Sequence, residues 1–202
     1  MSGEQQATGA KPTSTDAIAA ATGTPWDTWL ERLESQGASR LGHTELARGI
    51  ADQLEGAVSN NGWWGQMIAV AYEQHIGRRR PGQSCAGDFQ VSASATVSMP
   101  RAQAAEAFAA HMAQSGVKEG AVDGVPLERE PALTGTERAH YWRAALADGT
   151  RINVSITDKA PAKDGTPKTV VGLGHEKIET EKDADRWRAF WKPLMKAMPR
   201  TA

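Results

Sequence analysis

Residues 89–99 have the sequence FQVSASATVSM, and this stretch decides the fold of the second half of the chain. Apolar and polar side chains alternate along it, which is typical of a β-strand with one buried face. Pro100 follows directly, and residues 100–114 carry apolar side chains at helical spacing. The sequence therefore predicts a strand and then a helix, followed by an irregular segment at 115–136 that is rich in glycine and proline.

Further strands and one long helix complete the second half. Alternating patterns predict strands at 138–146, 150–157 and 168–178. Residues 181–199 carry a helical stripe of apolar and aromatic side chains, with acidic residues in the first turn and basic residues in the last turns. That order of charges suits the dipole of a helix. A sheet packed against a terminal amphipathic helix would bury these stripes together, which predicts an α+β fold.

The turn between the strands at 138–146 and 150–157 has a predictable register. A loop formed by Ala147 to Gly149 would pair Trp142 with Val154 and place the large apolar side chains on one face. A loop shorter by one residue would separate them, because a slip of one residue reverses the faces of a strand. We therefore predict a three-residue loop with Gly149 in the left-handed conformation.

The first half of the chain, residues 17–83, is predicted to be helical. Apolar residues recur at helical spacing from about Trp26 to Gly37, from 44 to 54 and from 62 to 77. The third of these helices has a wide apolar surface, which is typical of a central helix. These patterns predict an all-α domain of three helices.

The remaining boundaries follow from composition. Residues 1–16 are small and polar, and such a segment buries too little apolar surface to offset the entropy lost on ordering, so we expect a disordered tail. The sequence RRRPGQSCAG at 78–87 is a linker by composition. We therefore expect a helical domain at 17–83 and a second domain at 84–202.

Composition and charge exclude several classes of protein. The chain has 202 residues, 40% of them hydrophobic, with 23 Lys+Arg against 24 Asp+Glu. This balance does not favour a general binder of nucleic acid or anionic membranes. No apolar run is long enough for a membrane span, and the first residues lack the apolar core of a secretory signal. With Cys85 as the sole cysteine, these features favour a cytoplasmic protein.

The helical half carries a pattern that resembles a known bacterial domain. Its elements are ATG at 21–23, His43 followed by Glu45-Leu46-Ala47, and WWGQMIAVAYEQHIGRR at 63–79. The pattern resembles an N-terminal helical domain of unknown function. Such domains commonly precede an SRPBCC domain, the START-like helix-grip fold of the heat-shock-ATPase-activator-homologue type. Residues 89–108, FQVSASATVSMPRAQAAEAF, resemble the first strand and helix of that fold.

The resemblance implies a small helix-grip domain with an apolar pocket between its sheet and its terminal helix, and it implies no known reaction. The favoured function is therefore non-enzymatic binding of a small apolar ligand. His175 alternates with Val171 and Leu173 and is expected on the inner face, either against the ligand or as a core histidine bonded to a backbone carbonyl. The predicted lining residues are Phe89, Val91, Phe108, Trp142, Val154, Val171, Leu173, His175, Trp187 and Trp191.

The helical half offers a candidate surface for a domain interface or a protein partner. Adjacent tryptophans on a helix point in different directions, so one of the pair Trp63-Trp64 would fill the core while the other docks elsewhere. Gln66, Tyr72 and Glu73 complete this set. The alternative function is therefore a protein-interaction adaptor with a filled core.

A second alternative is a DNA-binding regulator that uses the helices at 44–54 and 62–77 as a helix-turn-helix. The recognition helix would need basic or amide side chains at base edges, but no Arg or Lys lies between Trp63 and Ile76. The run Arg78-Arg79-Arg80 fits a solvated hinge better than a phosphate clamp. Nucleic acid is therefore not a favoured partner.

No pattern in the sequence indicates a catalytic set, a metal site or a cofactor. The histidines form neither an HExxH pair nor a Cys/His set at zinc spacing. Cys85 lies in the linker without a neighbouring base and is expected to be an exposed, unreactive thiol. Gly172-Leu173-Gly174 is too short for a dinucleotide-binding loop and is interpreted as a bend in a strand.

Overall fold

The structure is a computed structural model that describes residues 10–115 and 117–201. The described residues fall into two compact units, one up to Gly87 and one from Asp88 onward, here called the helical unit and the sheet unit. Most of the predicted disordered tail, residues 1–9, lies outside the described residues. The first helix begins at Thr15, inside the segment expected to be a tail.

The helical unit contains α1 at Thr15–Thr22, α2 at Trp26–Ser35, α3 at His43–Gln53 and α4 at Asn61–His75. A short 3-10 turn, Ala38–Arg40, joins α2 to α3. The three predicted helices are present as α2, α3 and α4, and the described residues add α1. Apolar spacing did not reveal α1 because only one of its side chains, Ile18, is buried.

The packing of α4 against α3 depends on a glycine. A Cβ atom on Gly65 would lie 2.6 Å from the carbonyl oxygen of Ala47 and 2.9 Å from the Cβ of Ala51. The two helices therefore approach as closely as their backbones allow. The rest of α4 buries Ile68 and Tyr72 in the core of the unit, as its wide apolar surface predicts.

The sheet unit has the predicted order of strand, helix, further strands and terminal helix, and its α+β class is confirmed. Among the described residues, the main sheet has five antiparallel strands in the order β1-β7-β6-β5-β4. The elements are β1 at Phe89–Val97, α5 at Arg101–Gln114, β2 at Ala121–Val122, β3 at Val125–Pro126, β4 at Ala132–Gly135, β5 at Ala139–Ala145, β6 at Arg151–Lys159, β7 at Lys168–Ile178 and α6 at Glu181–Ala197.

One face of the main sheet is covered by helices. The long helix α6 packs against β1 and β7, while α5 packs against β5, β6 and β7. Trp187 and Trp191 of α6 are buried together with Phe108 of α5 in the core beneath the sheet. An antiparallel sheet with a long terminal helix on one face is compatible with a helix-grip arrangement. No helix of the described residues is both long and apolar enough to cross a membrane.

The segment predicted to be irregular, 115–136, is partly ordered into strands. β2 and β3 form a small hairpin, and β4 pairs with β5 at the edge of the main sheet. The expectation of a wholly irregular segment is therefore wrong. All four residues of β4 are exposed, so the strand has no apolar alternation from which it could have been recognised.

The predicted register of the β5–β6 hairpin is confirmed. Trp142 pairs with Val154, and the backbone N–H of Leu146 donates to the carbonyl oxygen of Thr150 over 3.0 Å. Gly149 has a φ of +85°, as the three-residue loop requires. The loop therefore places Trp142, Val154 and Ile156 on the buried face together.

Replacing Gly149 with valine is expected to destabilise the sheet unit by about 1–3 kcal/mol, because a β-branched residue is strained at positive φ. Urea unfolding of the full chain measures the loss. The control must change a residue without positive φ, which excludes other glycines such as Gly124, with a φ of +77°. Ala147→Val is the matched control, because it adds the same side chain in the same loop at a residue without positive φ. Equal stability of Gly149→Val and wild type would contradict the strain argument.

Candidate functional site

A buried carboxylate at the end of α4 gathers the most polar site of the helical unit. Glu73 is 3% exposed. Its Oε1 accepts a hydrogen bond from Arg78 Nη2 over 2.7 Å, and its Oε2 accepts one from Arg79 Nε over 2.7 Å. His43 Nδ1 lies 3.0 Å from the same Oε2. We call His43, Gln66, Glu73, Arg78 and Arg79 the Glu73 cluster.

The end of α4 explains how two consecutive arginines reach one carboxylate. The helix ends at His75, and Gly77, with a φ of +73°, reverses the chain. The backbone N–H groups of Arg78 and Arg79 then donate to the carbonyl oxygen of Glu73 over 2.8 and 3.1 Å. Both guanidinium groups therefore lie over the last turn of the helix that carries Glu73.

His43 links this carboxylate to the middle of α4. It is the first residue of α3, and its Nε2 lies 2.7 Å from Gln66 Oε1. A protonated ring donates to both Gln66 and Glu73, whereas a neutral ring that accepts from Arg79 Nη2 over 3.2 Å donates to Gln66 alone. His43 at the start of α3 therefore lies against two residues of α4, Gln66 and Glu73, that are about two helical turns apart.

The arginines keep Glu73 ionised despite its burial. Burial by itself raises the pKa of the Glu73 carboxyl, because it penalises the charged form. The hydrogen bond from Arg78, and then the charges of Arg79 and His43, act in the opposite direction and prevail. The pKa of Glu73 is therefore below its ordinary value.

An open pocket of about 300 Å³ borders the Glu73 cluster. One side is formed by Arg78, Arg79 and His43, and the other by the loop that contains Gln83 and Cys85. The loop is held in place because Arg79 Nη1 donates to the carbonyl oxygen of Gln83 over 3.1 Å. The thiol of Cys85 is free and exposed.

The amino end of α3 also opens into this pocket. Gly42 precedes α3 and, having no side chain, makes no cap hydrogen bond, and both Gly42 and His43 line the pocket. The first N–H groups of a helix have no partners within the helix, and they carry a partial positive charge. The pocket therefore combines an uncapped helix start with two guanidinium groups around a single carboxylate.

The structure separates the residues predicted for the helical half into three environments. Tyr72 is buried in the core of the unit, and Trp64 is partly buried and packs against that core. Trp63 is 54% exposed and contacts Trp64 edge to face at 4.5 Å between ring centroids. Gln66 and Glu73 are brought together through His43.

The expectation of a solvated hinge at Arg78-Arg79-Arg80 is wrong for the first two residues. The side chain of Arg79 is 10% exposed, and both Arg78 and Arg79 form ion pairs with Glu73. One signal in the sequence pointed to this site: Glu73 lies on the otherwise apolar buried surface of α4. A carboxylate at such a position requires a cationic partner.

The ten residues predicted to line an apolar pocket all lie in the core of the sheet unit. None is more than 7% exposed, and they pack against one another, for example Phe108 against Trp142 with ring centroids 5.6 Å apart. Their contact with a ligand stays a prediction. The residues are Phe89, Val91, Phe108, Trp142, Val154, Val171, Leu173, His175, Trp187 and Trp191.

His175 is fully buried, and both of its ring nitrogens have partners in the protein. Trp191 Nε1–H donates to His175 Nδ1 over 3.0 Å, so the ring proton must lie on Nε2. Nε2–H then donates to Thr150 Oγ1 over 2.8 Å, and Thr150 donates to Asp148 Oδ1 over 2.7 Å. The partners are side chains and not the backbone carbonyl that was the expected alternative to a ligand.

Burial lowers the pKa of His175 to about 4. The charge of Asp148 acts in the opposite direction, and that of Arg186 adds to the decrease. Asp148 and Thr150, the outer residues of this series of hydrogen bonds, line a recess of about 200 Å³ at the start of α6. His175 is therefore a neutral link between Trp191 of α6 and the loop of the β5–β6 hairpin.

Metal-binding groups do not cluster in the part of the chain that the structure describes: no set of three or more His, Cys, Asp or Glu residues is placed to hold an ion. No protein-family model matches the chain, and no curated protein matches it.

Proposed function

We propose that this protein binds a small anionic molecule, without transforming it, in the pocket beside the Glu73 cluster. The observation that carries the proposal is the surplus of positive charge there. Two guanidinium groups surround one carboxylate, and the uncapped start of α3 opens beside them. Arginine pairs and helix starts are the groups that bind carboxylate and phosphate oxygens in proteins.

The apolar-ligand hypothesis for the sheet unit ranks second on packing grounds. A ligand between the main sheet and α6 would have to displace side chains such as Trp187 and Trp191, which are 1% and 0% exposed. Protein interiors are closely packed, and opening such a core removes many favourable contacts. The pocket beside the Glu73 cluster needs no such rearrangement.

We also propose that the sheet unit is a helix-grip domain of the SRPBCC type and that the chain works in the bacterial cytoplasm. The order of strands and helices and the packing of α6 on β1 and β7 support the first part. The exposed free thiol of Cys85 suits a reducing compartment and supports the second.

The protein-adaptor hypothesis has one supporting observation, the exposure of Trp63. An exposed tryptophan is a frequent anchor of protein interfaces. DNA binding has less support, because α4, the expected recognition helix, contains no Arg or Lys and its one basic side chain is His75. Small-ligand binding therefore remains the first proposal.

Calorimetric titration of the full chain with inorganic phosphate and with succinate tests the proposal, at an ionic strength held constant with sodium chloride. We expect saturable binding that weakens about tenfold in Arg78→Gln, because a charge-assisted hydrogen bond contributes about 1.5 kcal/mol. Arg78 is suited to this change because its side chain is 34% exposed, whereas that of Arg79 is 10% exposed.

Arg48→Gln is the matched control, since it removes the same charge from an exposed position of α3. We expect it to bind both probes as the wild type does. Equal weakening in the two variants would indicate general screening by net charge and would contradict a site at Arg78. Absence of saturable heat with both probes would overturn the proposal.

A further inference from the structure

The outer face of the main sheet, opposite the helices, contains a depression that neither the core nor the proposed anion pocket uses. It measures about 440 Å³ and is formed within the sheet unit by β5, β6 and β7. Gly172 and Gly174 of β7 form its floor, with Asn153 and Ser155 of β6 beside them. Tyr141 and Arg143 of β5 form one wall.

The two glycines are not needed for the backbone of β7. Neither has a positive φ, and β7 pairs continuously with β6 along Arg151↔Glu176 to Lys159↔Lys168. The register shift in the β1–β7 ladder lies between Phe89 and Val91, opposite the segment from His175 to Ile178, so it includes neither glycine. Neither the pairing nor the φ of β7 therefore requires a glycine at Gly172 or Gly174, and the bend interpreted from the sequence stays a prediction.

Packing does not require these glycines either. A Cβ atom on Gly174 would be 3.8 Å from its nearest neighbours, which is ordinary contact. On Gly172 it would lie 3.3 Å from Ser155 Oγ, the end of a side chain that can rotate. Glycine in a strand lowers stability by roughly 1 kcal/mol, and where geometry does not demand it, glycine often marks a close approach by a ligand. Two glycines that each lower the stability of one central strand indicate that the open floor has a function.

The polar groups around the floor are balanced in charge. Arg143 is positive and its guanidinium carbon lies 4.6 Å from the centroid of the Tyr141 ring. Glu176 is negative, and its Oε2 accepts a hydrogen bond from Asn153 Nδ2 over 3.1 Å. The site thus offers donors at Arg143 and Asn153, acceptors at Glu176 and no net charge.

We propose that this depression binds a neutral saccharide through the face of a sugar ring that lies on Gly172 and Gly174. Ring hydroxyls both donate and accept, so they match the mixture of amide, carboxylate and guanidinium groups at the edges. A ligand with a net charge would be attracted by one of Arg143 and Glu176 and repelled by the other. The saccharide site is separate from the anion pocket of the helical unit and does not depend on it.

Amide NMR spectra of the full chain, recorded with millimolar glucose, galactose, mannose, maltose, cellobiose or lactose, test the proposal. We expect at least one of these sugars to shift the signals of Gly172, Gly174 and Asn153 in a saturable way. Gly172→Val should fold at least as stably as the wild type, because valine favours strands, and should bind that sugar at least about tenfold more weakly, because its side chain covers the floor.

Ser94→Val is the matched control, since Ser94 pairs with Gly172 from the neighbouring strand β1, faces solvent and does not line the depression. It should bind the sugar as the wild type does. If Gly172→Val does not fold, Asn153→Ala provides the same test by removing a polar contact from the floor.

Three results would overturn the saccharide proposal. One is that no sugar of the panel shifts these signals. Another is that both Gly172→Val and Asn153→Ala bind as the wild type does. The last is that the same signals shift with protein concentration in the absence of sugar, which would identify a second copy of the chain as the occupant of this face.

Discussion

Replacing Glu73 with glutamine is expected to destabilise the helical unit by about 3 kcal/mol, because it leaves two arginines without their anion. The side chain of Arg79 is 10% exposed, so water compensates only a small part of the loss. Glutamine also presents N–H groups toward the guanidinium donors in place of an oxygen. Peptide-resolved amide exchange of the full chain measures the effect in α4 separately from the sheet unit.

The matched control for this variant is Glu45→Gln. Glu45 is also a carboxylate of the helical unit, but it is exposed in the first turn of α3. Its replacement should change stability by no more than about 0.5 kcal/mol. If the amides of α4 were equally protected from exchange in Glu73→Gln and Glu45→Gln, the Glu73 cluster would contribute no more to stability than a surface charge.

The Glu73 interaction also has a defined pH range. The pKa of Glu73 is below its ordinary value of 4.5 in the folded chain. Its contribution to stability is therefore fully present above about pH 4.5 and is lost as the pH falls through the lowered folded pKa. The Glu73→Gln variant should lack this part of the acid dependence.

Local patterns in the sequence were sufficient for most of the sheet unit. The alternation at 89–99 identifies β1 because most of its inner side chains are buried while all of its outer ones face solvent. The pairing of Trp142 with Val154 could be deduced because only one register buries both. The edge strand β4 has no buried side chain, so no periodicity marks it.

The Glu73 cluster could not be assembled from periodicity. His43 and Glu73 are 30 residues apart, and their contact depends on how α3 crosses α4 near Gly65. Arg78 and Arg79 reach Glu73 only because the chain reverses at Gly77. The depression over Gly172 is equally hidden, since it arises from side chains that are absent from one strand and present on its neighbours.

Acidification from about pH 7 to about pH 5 is expected to lower the stability of the sheet unit by about 2 kcal/mol through His175 alone. The folded pKa of His175 is about 4, below its ordinary value of 6.5, so the unfolded chain takes up a proton in this range while the folded chain does not. The contribution of His175 to stability is therefore fully present above about pH 6.5 and is lost progressively as the pH falls toward 4.

The cause of this acid sensitivity is the direction of two hydrogen bonds. Trp191 can only donate, so it holds His175 Nδ1 as an acceptor, and a proton added there would face the indole N–H. Thr150 Oγ1 accepts the hydrogen bond from His175 Nε2–H and donates its own O–H to Asp148 Oδ1. A charged ring would have to break the contact with Trp191 in a site without water access, because both side chains are fully buried.

Urea unfolding at a series of pH values, compared between wild type and His175→Gln, measures this contribution. The variant should be less stable near neutral pH, yet its stability should change less between pH 7 and pH 5 by about 2 kcal/mol, since glutamine does not titrate. NMR of the wild-type ring should show a neutral imidazole protonated at Nε2 throughout this range. A ring of His175 that titrates near pH 6.5, or equal pH slopes in the two proteins, would contradict the arrangement of Trp191, His175 and Thr150 described above.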